Sequence, residues 1–72
     1  MTLDMVNRGQ KIEVISIPDE KIRVQAIRLG LYEGAKLVCS QKVLAGPVVL
    51  QNRLQEIAIG RKLAQTIKVK AV

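Results

Sequence analysis

Histidine, phenylalanine and tryptophan are absent from this chain, and Cys39 and Tyr32 are each the single residue of their kind. Without histidine, one cysteine and six scattered carboxylates cannot assemble a soft-donor ligand set for zinc or a transition metal. Asp19-Glu20 is the one adjacent acidic pair, and helix-cap chemistry accounts for it better than metal binding does. Catalysis lacks its parts as well. Cys39 has no imidazole to activate it, and its place in an alternating apolar pattern gives it a buried, structural role. Ser16, Ser40 and Thr66 have no base partner, and no glycine-rich loop ends in the Lys-Ser/Thr of a phosphate cradle. The expectation is a non-enzyme with no cofactor, no metal and no small-molecule substrate. One tyrosine cannot line a groove for a polyproline ligand. Nor can it supply the stacking platforms on which single-stranded nucleic acid is held. With one cysteine there is no internal disulfide, which fits a reducing compartment. No apolar run approaches the roughly 18 residues of a membrane span. The opening Met1-Thr2-Leu3-Asp4-Met5 has neither the basic region nor the apolar core of a signal peptide. A cytoplasmic location follows as an expectation, with the membrane reached through a partner.

What the chain does have is aliphatic residues and positive charge. Its 72 residues make one domain, residues 1–72. A chain of this size buries only about 60% of the surface its unfolded form exposes, so isoleucine, valine and leucine must supply a compact core. The net charge of +6 is unevenly placed. Residues 1–33 balance five acids against five bases, whereas residues 34–72 carry Glu56 against seven bases: Lys36, Lys42, Arg53, Arg61, Lys62, Lys68 and Lys70. A field of that sign attracts an acidic protein, an anionic surface or nucleic acid. It also serves solubility and guards sheet edges.

The hydrophobic period divides the chain. From Gln10 to Ile17 the pattern alternates, with Ile12 and Val14 on one face and Lys11 and Glu13 on the other; Ile15 and Ile17 blur its end. Ser16, Pro18 and Asp19 offer helix-starting chemistry. From Glu20 to Leu29 the apolar residues Ile22, Ala26 and Leu29 recur at helical spacing, and Val24 and Ile27 widen that face. Gly30 fits the left-handed position that ends many helices, and Leu31 falls where a Schellman cap folds an apolar side chain back. Glu33-Gly34 suits a tight turn with positive φ at its second central residue. Ala35 to Leu44 then reads as a strand with Leu37, Cys39 and Val43 on one face. Gly46-Pro47 marks a corner. Val48–Gln51 and Leu54–Ile59 read as two strands joined at Asn52-Arg53, where Asn tolerates positive φ. Gly60 to Thr66 suits one helical turn, and Ile67 to Lys70 a last strand. The predicted fold is mainly β with one short helix, a small SH3-like antiparallel barrel.

The ordered set Leu29-Gly30-Leu31, Gly34, Gly46-Pro47-Val48 and Ile59-Gly60-Arg61-Lys62-Leu63-Ala64 resembles the FeoA family at matching spacings along almost the whole chain. Members are small SH3-like proteins that accompany the bacterial ferrous iron permease FeoB. One departure is Glu33, which stands where the family usually has proline. The resemblance implies an accessory protein of ferrous iron uptake that works through contact with FeoB or its GTPase portion. Two surfaces are candidates for that contact. One is the Leu31-Tyr32-Glu33 turn; the other is the basic set Arg53, Arg61 and Lys62. Two alternatives keep the barrel and change its role. A small basic barrel could bind nucleic acid through backbone phosphates. Similar SH3-like domains also close metal-dependent repressors of the diphtheria toxin repressor type, which carry a helix-turn-helix domain upstream. Homo-oligomerisation through a sheet edge near Val72 stays open.

Overall fold

The computed structural model describes residues 1–53 and 55–72. A 3₁₀ turn at Leu3–Met5 is followed by β1 (Lys11–Ser16), α1 (Glu20–Ile27), β2 (Lys36–Lys42) and β3 (Val48–Gln51). β4 (Glu56–Ile59), α2 (Arg61–Ala64) and β5 (Lys68–Ala71) complete the chain. The five strands form one antiparallel sheet in the order β4-β3-β2-β1-β5. No pairing joins β4 to β5 among the described residues, so the barrel is open rather than closed. Leu54, expected to begin the fourth strand, lies outside the described residues.

Alternation puts Ile12, Val14, Leu37, Cys39, Val48, Leu50, Ile57, Ile59 and Val69 inside. They meet Leu3 and Val6 from the amino-terminal segment and Leu31, Ala26 and Ala64 from the helices and their caps, in a core with no buried polar side chain among the described residues. Two irregularities set where the alternation breaks. The β1–β5 register shifts between Val14 and Ser16, which exposes Ile15 and returns Ile17 to the core. The β2–β3 register shifts between Cys39 and Gln41. A bulge of this kind bends the strand and changes its phase. Val43, expected on the inner face, therefore lies beyond the strand and is exposed.

α1 starts as its chemistry requires. The Asp19 carboxylate accepts from the backbone N–H groups of Lys21 (2.9 Å) and Ile22 (3.2 Å). It ends in the Schellman geometry. Leu31 N–H donates to the Ala26 carbonyl (3.0 Å), Gly30 N–H donates to the Ile27 carbonyl (3.1 Å), and Gly30 sits at φ +83°. The helix contacts the sheet along a narrow face. Ala26 is buried and Ile22 partly so, but Val24 and Ile27 are each 58% exposed, contrary to the wide apolar face expected. Leu29 is exposed too.

The turns also divide between expected and unexpected. Ala35 N–H donates to the Tyr32 carbonyl (2.9 Å) around Gly34 at φ +93°, the tight turn anticipated at Glu33-Gly34. Replacing the usual proline by Glu33 has a local use, because its Oε2 accepts from Ile17 N–H (3.2 Å) and ties the turn to the end of β1. At the β3–β4 connection Asn52 does not take positive φ. Its N–H donates to the Gln55 carbonyl (3.0 Å), and its side-chain Oδ1 accepts from Gln55 N–H (3.2 Å). In the β2–β3 hairpin the positive φ falls on Ala45 (φ 61°), next to Leu44, which is 96% exposed.

The amino-terminal segment runs along β5. Leu3 N–H donates to the Ile67 carbonyl (2.9 Å), Val69 N–H to the Met1 carbonyl (2.8 Å), and Thr2 bridges Lys68. That segment covers the edge of β5 only at its start, up to Val69; the end near Val72 stays exposed, and β4 holds the sheet's other edge.

Candidate functional site

The sheet register builds the main concavity. Lys11, Val38 and Gln51 stand opposite one another across β1, β2 and β3, so their side chains share the outer face. The 30–36 segment and the β3–β4 connection rise beside that row. Together they border an open groove of about 980 Å³. Lys11, Lys36 and Arg53 bring three cations to it, and Tyr32, 48% exposed, brings the aromatic ring. Val38 and Val72 give it accessible apolar lining, with the buried Ala35 and Leu37 at its margin, while Gln51, Asn52 and Gln55 are its amide residues. No aspartate or glutamate side chain lines it among the described residues. Glu56, next in the Lys11–Val38–Gln51 row, accepts instead from the Ser40 hydroxyl (3.2 Å).

Gly30 brings the two walls together. A Cβ on Gly30 would lie 2.7 Å from Asn52 Nδ2, so the helix cap and the β3–β4 connection meet where any other residue would have to displace the Asn52 side-chain amide. One residue thus ends α1 and lines the groove.

The six residues picked from the sequence are dispersed. Tyr32 and Arg53 line the groove together, although they were assigned to different surfaces. Leu31 is fully buried and belongs to the core, where it completes the helix cap. Glu33 is exposed but spends its carboxylate on Ile17 N–H. Arg61, half-buried, and Lys62, exposed, sit in α2, outside the groove lining. Lys11, Lys36 and the three amides were missed. Their common signal was the strand register, which alternation alone does not give.

A second, much smaller hollow of about 80 Å³ lies between the helices and is lined by Ile22, Leu29 and Leu63 among others. It is apolar and carries no charged side chain. Cys39 is fully buried. Burial pushes its thiol pKa up, against smaller opposing effects of the Gln41 carbonyl and the Lys42 charge. A protonated, inaccessible thiol is not a nucleophile. No group of three or more histidine, cysteine, aspartate or glutamate side chains could hold a metal ion among the described residues.

The open five-stranded barrel, its capped helix and its cationic groove define a small SH3-like domain. The chain belongs to the FeoA domain family, whose model matches residues 1–71. It is similar to the crystal structure of an iron uptake regulatory protein (FeoA), with a TM-score of 0.88 and 25% identity over 100% of this chain and 97% of that one. It is similar to the solution structure of FeoA from Chlorobium tepidum, with a TM-score of 0.86 and 27% identity over 100% of this chain and 70% of that one. The fold alone is shared with the metal-dependent transcriptional regulator MtsR, at 19% identity and a TM-score of 0.83, where the chain spans 34% of that protein. No curated protein matches the chain. Family membership supports a role in ferrous iron uptake.

Proposed function

We propose that this chain is a non-catalytic accessory protein of ferrous iron uptake, acting in the cytoplasm through contact with a FeoB-type permease or its GTPase portion. The observation that carries the reading is the FeoA family match over residues 1–71. The chemistry agrees with it. The described residues hold no group of three or more metal-ligating side chains, and the one thiol is buried. The surface is cationic in its carboxyl-terminal half and concave at Tyr32 and Arg53. No helix among the described residues is long and apolar enough to cross a membrane.

The test is a titration of isotope-labelled protein with the purified GTPase portion of FeoB, followed by amide chemical shifts at low and at physiological salt. Saturable shifts clustered on one face are expected. Absence of any shift, at either salt, with the intact permease as well as with the GTPase portion, would overturn the reading.

A further inference from the structure

Resting on the reading of the chain as a protein that acts by partner contact, we propose that the groove between the 30–36 segment and the β3–β4 connection receives an extended, acidic polypeptide segment. Charge is the first argument. Lys11, Lys36 and Arg53 converge on one concavity, and none of them is held in an ion pair among the described residues. Glu13 stands opposite Lys36 in the β1–β2 ladder but does not line the groove. Three cations against one neighbouring carboxylate leave a net positive groove that favours carboxylates from outside the chain. Exposed cations not held in an ion pair are free to make charge-assisted hydrogen bonds to an incoming carboxylate.

Size and lining select the class of ligand. At about 980 Å³ the groove is far larger than a lone small anion needs. Its apolar lining from Val38 and Val72 offers a contact surface for an aliphatic side chain between two acidic ones. The amides of Gln51 and Gln55 carry both donors and acceptors, which suits a peptide backbone carrying both N–H and C=O groups. A phosphate presents acceptors alone. Tyr32 gives one rigid, half-exposed contact surface of the kind that anchors protein partners, whereas a bound nucleic acid strand wants several such rings. A flat bilayer does not fit a concavity.

The experiment uses the full chain and three probes: a peptide alternating glutamate and leucine, its glutamine-for-glutamate counterpart, and an oligoribonucleotide matched in charge. The acidic peptide should shift the amides of Lys11, Tyr32, Lys36 and Arg53 saturably, and the glutamine peptide should bind far more weakly. Reversing Lys36→Glu with Arg53→Glu should cut affinity by roughly tenfold or more. Reversing Arg61→Glu with Lys62→Glu, the same change of net charge outside the groove, should leave it nearly unchanged. Equal effects of the two reversals, equal binding of the two peptides, no binding, or tighter binding of the oligoribonucleotide in the groove would each overturn the proposal. The GTPase portion of FeoB separates the two readings. If it binds but shifts residues elsewhere, the groove assignment falls and the accessory role stands. If the acidic peptide binds in the groove and neither FeoB preparation binds, the groove stands and the identity of the partner falls.

Discussion

At the residue scale, Cys39 and Gly30 make opposite demands. Cys39 asks for burial, and its thiol is pushed above its ordinary value chiefly by desolvation. The native state therefore holds the thiol proton more tightly than the unfolded chain does. The stability this contributes is fully present below the unfolded pKa and is lost as pH rises through the folded one. Urea unfolding should show a falling stability above about pH 8.5, the ordinary thiol range, and Cys39→Ala or Cys39→Val should flatten that fall. A thiol reagent should label Cys39 only as fast as the protein opens; rapid labelling under native conditions would contradict its burial. Gly30 asks for the absence of a side chain. Gly30→Ala places an L-residue at φ +83° and a methyl carbon 2.7 Å from Asn52 Nδ2, whereas Gly34→Ala, at φ +93°, meets nothing within 4 Å. Both lose about 1–2 kcal/mol to the left-handed conformation. Gly30→Ala should lose more and also shift amides along the groove. Equal losses in chemical denaturation would show that the meeting of the two walls is unimportant.

At the element scale, α1 shows which parts of a fold a sequence can declare. Its ends were legible because capping is local: Asp19 serves the first turn, while Gly30 and Leu31 close the last. Its apolar face was not, since Val24 and Ile27 match helical spacing but point away from a sheet that meets the helix along a narrow stripe. Replacing both by glutamine should change stability by less than about 0.5 kcal/mol each, the scale of surface substitutions. A larger loss would mean the helix packs more of its face than the exposures indicate. The strands divide in the same way. β3 was read with its observed bounds, because a short apolar run, Val48-Val49-Leu50, between a corner and an Asn-led turn is self-contained. Val43 was misplaced because the bulge after Cys39 depends on how β2 pairs with β3. The groove was the least legible feature. Lys11 and Arg53 come from opposite ends of the sequence and meet only through the register of three strands.

At the scale of the whole molecule, the open sheet leaves two edges with different treatment. The start of β5 is covered by the amino-terminal segment, which also sends Leu3 and Val6 fully into the core. Each such side chain is worth about 1.5–3 kcal/mol of burial, against a total stability of about 5–15 kcal/mol for a small domain. Removing residues 1–6 should therefore unfold the domain or leave it prone to pairing through β5, seen as lost amide dispersion or as higher-order species in ultracentrifugation. Trimming Val72, an exposed residue, should do neither. A truncated protein that stays monomeric and folded would remove the amino-terminal segment from the list of structural elements.

Tyr32 is the chain's sole aromatic side chain, and it stands in the groove, outside the aliphatic core and its one thiol. The optical properties of the molecule are thus divided by location. Near-ultraviolet dichroism and intrinsic emission carry no signal from the packed interior. Both report on one solvent-facing ring and on whatever settles against it. Unfolding has to be followed through the backbone, in the far ultraviolet. Occupancy of the groove can be watched in the unlabelled protein, against partners without tryptophan or tyrosine, on a background that is otherwise dark.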